Sequence, residues 1–95
     1  MPRVALSRDA MDDLRTLIRA YGLPDTTVAR VKAATEALER FPSLGQRLRG
    51  RGEGRRGISG PWPWMLISYV WLEDADLIAI LRIEDVRTAE APSGH

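Results

Sequence analysis

Residues 55–87 read RRGISGPWPWMLISYVWLEDADLIAILRIEDVR and contain two apolar runs separated by an acidic turn. The runs are Trp64–Leu72 and Leu77–Ile83, and residues 73–76 form the turn. Isoleucine, leucine, valine and aromatic side chains fit a pleated and covered surface. Two such runs across a short polar gap predict an antiparallel hairpin. The near-continuous apolar character of the first run predicts that it is the central strand of a sheet.

Two amphipathic helices are predicted upstream of this hairpin. Ser7 is positioned to cap the first helix, which ends before Gly22. The second helix begins after Asp25 or Thr26 and ends at Phe41, which precedes a proline. The short link between them predicts antiparallel helices. Apolar positions at helical spacing give the expected helical core, which comprises Leu14, Leu17, Ile18, Val28, Val31 and Leu38.

Short strands are predicted at Arg3–Leu6 and Arg56–Ser59, which gives the order β-α-α-β-β-β. Segregated helices and strands indicate an α+β fold, with a helical hairpin packed on one face of a small, mostly antiparallel sheet. Residues 1–88 are expected to form one domain, and the polar tail 89–95 is expected to be disordered. No predicted element covers the second face of the central strand, which suggests a partner.

Composition excludes several classes of protein. The 95 residues carry 14 Lys+Arg and 13 Asp+Glu, and a net charge of +1 is too small to predict nucleic-acid binding by itself. The absence of cysteine excludes a disulfide scaffold, thiol catalysis and cysteine-based zinc sites. No signal peptide or long apolar run is present, so we expect a cytoplasmic protein without membrane contact.

Three acidic residues lie near the start of the first helix. We interpret them as charges that complement the helix dipole and not as ligands of a metal ion. They are Asp9, Asp12 and Asp13. Neither a metal nor a cofactor is predicted.

Arginine supplies the candidate binding residues. The densest cluster comprises Arg47, Arg49, Arg51, Arg55 and Arg56, with Glu53 between them. This cluster either contacts phosphate or an acidic partner tail, or forms a solvated glycine-rich loop.

Two further arginines lie at the end of the last predicted strand. Arg82 interrupts an apolar strand, which is costly unless the charge is used, so we interpret it as part of a cationic patch that contacts a target. The alternative is a structural ion pair with Glu84, Asp85 or an acid on a neighbouring strand. Arg87 is either part of the same cationic patch or paired with a neighbouring carboxylate, such as Glu84 or Asp85.

Three tryptophans carry much of the aromatic area. Trp62, Trp64 and Trp71 are either core residues or binding hot spots. Trp62 lies between two prolines and is expected to be the most exposed. Strand alternation places Trp71 on the same face as Tyr69 and Trp64 on the opposite face.

The chain resembles the ParE/RelE toxin family of bacterial type II toxin–antitoxin operons. The resemblance rests on two segments, LPDTTVARVKAATEALERFPSLGQRL (residues 23–48) and GPWPWMLISYV…LIAILRIEDVR (residues 60–87). The first is similar to the family's amphipathic helix followed by proline and Leu-Gly. The second is similar to its last two strands, the final one of the Ile-Leu-Arg-Ile type with a later arginine.

Two branches of that family imply different mechanisms. RelE-like members cleave messenger RNA on the ribosome with basic residues and a C-terminal Tyr, His or Glu, whereas ParE-like members lack this set and inhibit DNA gyrase. Asp85 stands here where many relatives carry His, no Tyr follows, and the only histidine is His95. Glu84 or Asp85 could act as a base, but an acid is missing, and arginine, with a pKa above about 12, is a poor proton shuttle.

The resemblance therefore favours a ParE-like gyrase inhibitor that is neutralised by a cognate antitoxin and is not an enzyme. The alternatives are a RelE-like endoribonuclease and a non-toxic binding module. The expected target-binding residues are Arg55, Arg56, Arg82 and Arg87. The expected antitoxin-binding residues are Arg47, Arg49, Trp62, Trp64 and Trp71. The sequence does not decide whether the chain also binds nucleic acid directly.

Overall fold

The computed structural model describes residues 1–50, 52 and 54–89, which form a layer of helices on a five-stranded sheet. The strands are β1 (Arg3–Leu6), β2 (Gln46–Arg47), β3 (Arg55–Ser59), β4 (Met65–Leu72) and β5 (Leu77–Asp85). The helices are α1 (Arg8–Tyr21), α2 (Thr27–Thr35), α3 (Ala37–Arg40) and α4 (Val86–Ala89). Arg51, Glu53 and the predicted disordered tail from residue 90 onward lie outside the described residues.

The strand order is β1-β5-β4-β3-β2, so β4 is central, as its sequence predicts. β1 runs parallel to β5, and the other three pairings are antiparallel. The α+β prediction is therefore confirmed. The two-residue strand β2 was not predicted because it lacks an alternating apolar pattern, and its pairing with β3 defines it.

Helix α1 has the predicted boundaries. The Ser7 hydroxyl oxygen accepts the Ala10 backbone N–H at 3.0 Å, which satisfies one of the unpaired donors at the helix start. Gly22 has φ 62°, and its N–H donates to the carbonyl of Ile18. Such left-handed backbone favours glycine and ends the helix.

The second predicted helix is present close to its predicted bounds, but it is interrupted at Glu36, between α2 and α3. The buried Thr35 hydroxyl donates to the Lys32 carbonyl at 2.8 Å, and Glu36 N–H donates to the Ala33 carbonyl at 3.2 Å. This tighter turn replaces the regular helical pattern. Phe41, placed on the apolar stripe by its spacing, is 61% exposed.

The core lies between the helices and one face of the sheet. Its buried apolar residues are Ala10, Leu14, Val31, Leu38, Met65, Ile67, Tyr69, Ile78, Ile80 and Ile83. The alternate residues of the central strands, including Leu66, Val70 and Leu77, are half-buried and lie outside this cluster. In the described part of the chain, no helix packs on that second face, which we call the open face. No helix among the described residues is long and apolar enough to span a membrane.

Candidate functional site

Arg82 lies beside a bulge in β5. Ser68 pairs with Arg82 while Tyr69 pairs with Ile80, so the register skips Leu81. A bulge redirects the side chains around it and breaks the simple alternation of a strand. The sequence pattern therefore did not reveal which element Arg82 would meet.

Its partner is Asp13 in the middle of α1. Arg82 Nε and Nη2 donate to the two carboxylate oxygens of Asp13 at 2.7 and 3.1 Å. Asp13 also accepts the Ile83 backbone N–H at 3.0 Å, so one carboxylate ties α1 to β5. The hydrogen bonds that Arg82 donates to the Asp13 carboxylate raise the pKa of Arg82. The Arg82 side chain remains 46% exposed, so its guanidinium is held in place but still faces solvent.

Arg87 forms the ion pair with Asp85 that the sequence analysis gave as one alternative. Its Nε and Nη2 donate to Asp85 at 3.0 and 2.9 Å, and its backbone N–H donates at 2.9 Å. The Tyr21 hydroxyl donates to the same carboxylate at 2.5 Å. Asp85 is buried, whereas the Arg87 side chain is 60% exposed.

These bonds set the proton chemistry of the cluster. Hydrogen bonds from Arg87 and then Tyr21 lower the pKa of Asp85 far below its usual range, which makes it a weak base. The bond to Asp85 and burial raise the pKa of Tyr21, which makes it a weaker acid. Neither group is therefore poised for proton transfer near neutral pH. Tyr21 supplies a hydroxyl beside Asp85, but it serves as a structural clamp.

Replacement of Asp85 with asparagine should make the free energy of unfolding depend less steeply on pH below about pH 4. Because the folded-state pKa of Asp85 lies below its unfolded value of about 3.9, its carboxylate contributes stability that is present above that value and is lost as pH falls through the folded pKa. Chemical denaturation at decreasing pH should show a shallower decline below pH about 4 for Asp85→Asn than for wild type. Asp25→Asn, at an exposed carboxyl, is the control and should follow wild type. If the stability of Asp85→Asn falls as steeply with decreasing pH as that of wild type, the Asp85 carboxylate is not the source of this pH dependence.

Two tryptophans and two arginines form a continuous stack, which we call the aromatic stack: Arg30, Trp62, Trp64 and Arg87. The two indole rings are stacked with centroids 5.8 Å apart. Arg30 lies 4.7 Å from the centroid of Trp62, and Arg87 lies 4.9 Å from that of Trp64. Tyr21 meets Trp64 edge-on at 5.3 Å.

The tryptophan predictions need correction. Trp62, expected to be the most exposed of the three, is half-buried, as are Trp64 and Trp71, and it stacks on Trp64. Trp64 was placed opposite Tyr69 by strand alternation, but it precedes β4, and both Trp64 and Trp71 pack against the helix-facing core. The antitoxin-binding role of these residues stays a prediction.

The hairpin formed by β2 and β3, which we call the basic hairpin, carries four described arginines: Arg47, Arg49, Arg55 and Arg56. Arg47 and Arg49 are exposed, whereas Arg55 and Arg56 are half-buried. Arg56 Nη1 donates to the Gly45 carbonyl at 2.8 Å, so this arginine supports the loop before β2. The hairpin turn borders a concavity of about 610 Å³ lined by Arg47, Leu48, Arg49, Gly50, Gly52, Gly54 and Arg55.

Tyr69 fixes the base of the basic hairpin. Its buried hydroxyl donates to the Pro42 carbonyl at 2.7 Å and accepts the Gly45 N–H at 2.9 Å. A Cβ on Gly45 would lie 2.7 Å from the Gly57 carbonyl oxygen and 2.8 Å from the Tyr69 ring, so only glycine fits there. The loop before β2 is thus tied to β4 by one hydroxyl.

The predicted target-binding arginines do not form one patch. Arg82 reaches Asp13, and Arg87 reaches Tyr21, eight residues further along α1. At 1.5 Å per residue these anchor points are about 12 Å apart. Arg82 shares a cross-strand row with Ser68 and Gly57, next to the basic hairpin, whereas Arg87 belongs to the aromatic stack.

Sequence reasoning missed Asp13, Tyr21, Arg30 and Tyr69 as organising residues. Asp13 was grouped with other acidic residues at a helix start, and Tyr21 and Tyr69 were counted as apolar positions. Their partners are far apart in sequence, so no local spacing signals these contacts. The described residues contain no cluster of three or more His, Cys, Asp or Glu side chains able to hold a metal ion.

Comparisons with known proteins agree on architecture. No protein-family model matches the sequence, and no curated protein matches it. The toxin–antitoxin complex RelBE of E. coli contains a chain similar in structure, with a TM-score of 0.68 at 13% identity over 90% of this chain and 96% of that one. A metal-bound toxin from Helicobacter pylori gives a TM-score of 0.66 at 16% identity over 93% of this chain and 98% of that one.

A conserved Helicobacter pylori protein, solved in solution, gives a TM-score of 0.51 at 18% identity over 87% of this chain and 92% of that one. These identities are too low to carry residue roles across. The strand order, the helical layer and the near-complete coverage nevertheless define one fold. The chain has the fold of the RelE/ParE toxins.

Proposed function

We propose that this chain is the toxin of a type II toxin–antitoxin pair and that its partner covers the open face of the sheet. The observation that carries the proposal is the shared toxin fold, together with that uncovered face. Half-buried Leu66, Val70 and Leu77 offer apolar area that a folding antitoxin segment can bury. Arg47, on the edge strand β2, and Arg49 are exposed and suit an acidic segment of the partner.

Inhibition of DNA gyrase is the proposed activity, and it rests on proton chemistry. Cleavage of RNA by its own 2′-hydroxyl needs a base, an acid and cationic stabilisation of the phosphorane-like state. Arginines supply only the last of these. Of the acid–base candidates near the end of β5, Asp85 and its hydrogen-bond partner Tyr21 both have pKa values that are shifted away from neutrality. A protein that inhibits by binding needs no such pair.

A RelE-like endoribonuclease is the second candidate. The exposed side of the Arg82 guanidinium and the neighbouring basic hairpin supply the phosphate contacts such an enzyme needs. Structural similarity to a chain of the RelBE complex supports the same reading. A non-toxic binding module on this fold is the remaining alternative, and growth assays distinguish it.

Expression of the chain alone should arrest growth, and co-expression with the product of the adjacent gene should restore growth and raise solubility. The physical reason is that the partner buries the open face and shields the arginines. Equal growth and equal solubility in both cases would count against the toxin proposal and favour the binding module.

The target is tested with two assays on the purified chain. Added to gyrase, it should reduce supercoiling of relaxed plasmid, and added to translating ribosomes, it should leave mRNA intact. The protein purified with its partner is the control and should affect neither assay. Cleavage of mRNA without an effect on supercoiling would replace the gyrase proposal with the endoribonuclease.

A further inference from the structure

The aromatic stack joins three segments that are distant in sequence, and its two ends differ. At one end, Arg87 lies against Trp64, and its Nε and Nη2 groups donate hydrogen bonds to Asp85. At the other end, Arg30 lies against Trp62, projects from α2 and is exposed. No described carboxylate pairs with Arg30. Among the described residues, the ion pair is therefore complete at one end of the stack and has no counterpart at the other.

Contact with the indole prepares the Arg30 guanidinium for binding. A guanidinium stacked on an aromatic ring keeps its N–H donors in its own plane, where they match the two oxygens of a carboxylate. The ring also restricts the long side chain before any ligand arrives, so less conformational entropy is lost on binding. Arg87 shows the same arrangement: its guanidinium lies on Trp64 and pairs with a carboxylate, which in this case belongs to Asp85 of the same chain.

We propose that Arg30, held on Trp62, is the anchor for a Glu or Asp side chain of a protein partner. The partner's carboxylate would repeat, at the open end of the stack, the pairing that Asp85 makes at the closed end. Half-buried Trp62 and Trp64, together with Tyr21 at 42% exposure, provide apolar area for the residues beside that carboxylate. Arginine, tryptophan and tyrosine are the residues most enriched at binding hot spots.

A nucleic-acid ligand fits the aromatic stack less well. Each indole already contacts the other indole and one guanidinium, which limits the ring surface that is left for a base to stack on. Within the stack, Asp85 neutralises Arg87, so Arg30 is the one cation whose charge is not compensated. A phosphate backbone is usually bound by several cationic side chains. The proposal rests on the proposed function only in naming the antitoxin as the natural source of the acidic segment.

The direct test uses tryptophan fluorescence of the full chain, titrated with a short oligoglutamate peptide and with an oligothymidylate of equal charge at the same ionic strength. Oligoglutamate should bind more tightly, and Arg30→Ala should weaken that binding about tenfold. Arg30→Lys keeps the charge but loses the planar fork, so it should restore only part of the affinity. Arg15→Ala, at another exposed helical arginine, is the matched control and should bind as wild type does. Circular dichroism should show all three variants folded.

Two results would overturn the proposal. The first is tighter binding of oligothymidylate, which would assign the site to nucleic acid. The second is an equal effect of Arg30→Ala and Arg15→Ala, or no effect of either, which would reduce the contact to general charge or to none.

The same variants separate this proposal from the toxin proposal. If the chain binds the adjacent-gene product tightly and Arg30→Ala does not change that affinity, the proposed role of Arg30 is wrong but the toxin proposal stands. Arg30-dependent binding of oligoglutamate by a chain that neither arrests growth nor binds that product would keep the anchor and overturn the toxin proposal.

Discussion

Replacing Tyr69 with phenylalanine is expected to lower the free energy of unfolding by about 2–4 kcal/mol. The substitution keeps the ring in the core but removes the hydroxyl that donates to the Pro42 carbonyl and accepts the Gly45 N–H. Two backbone groups then lose their partner in a buried setting, where each unsatisfied group costs about 1–3 kcal/mol. For a domain with a total stability of about 5–15 kcal/mol the loss is large.

Urea denaturation followed by circular dichroism measures this loss, and the other tyrosine provides a matched control. Tyr21→Phe also removes one hydroxyl, but Tyr21 is 42% exposed and its partner Asp85 keeps the hydrogen bonds from Arg87. We therefore expect a clearly smaller change for Tyr21→Phe. Equal changes for the two variants would show that the Tyr69 hydroxyl does not hold the loop before β2.

The second large effect concerns activity at Arg82. Arg82→Ala should raise the protein concentration needed for growth arrest or target inhibition about tenfold or more, the loss expected when a central arginine contact is removed. The ion pair with Asp13 complicates this substitution, because Arg82 also ties β5 to α1. A loss of activity by itself would not separate contact with a target from support of the fold.

Asp13→Asn separates these roles. Asparagine keeps an oxygen that can accept the Ile83 N–H, but it removes the charge that engages Arg82. If Arg82 contacts a target, Asp13→Asn should retain activity or increase it, because the guanidinium no longer has a charged competitor. If Arg82 is purely structural, both variants should lose stability and activity in parallel. Thermal denaturation beside the activity assay distinguishes the two outcomes.

The β4–β5 hairpin, the helix α1 and the α+β class follow from local pattern. Apolar runs, a cap at Ser7 and Gly22 after α1 act over a few residues, so their signal is visible in the chain itself. The same reasoning made the break at Thr35 hard to foresee, because Thr35 fits a helical stripe by spacing. Its buried hydroxyl bonds the Lys32 carbonyl at the turn where α2 ends.

The sequence by itself determined the layers, the central strand and the supply of arginines. Only the tertiary structure decided which arginines share a surface and which groups neutralise them. Arg82 meets Asp13 and Arg87 meets Tyr21 because the bulge in β5 and the course of α1 bring distant side chains together. Periodicity describes which side of an element a residue occupies, whereas charge pairing depends on distances between elements, and those exist only after packing.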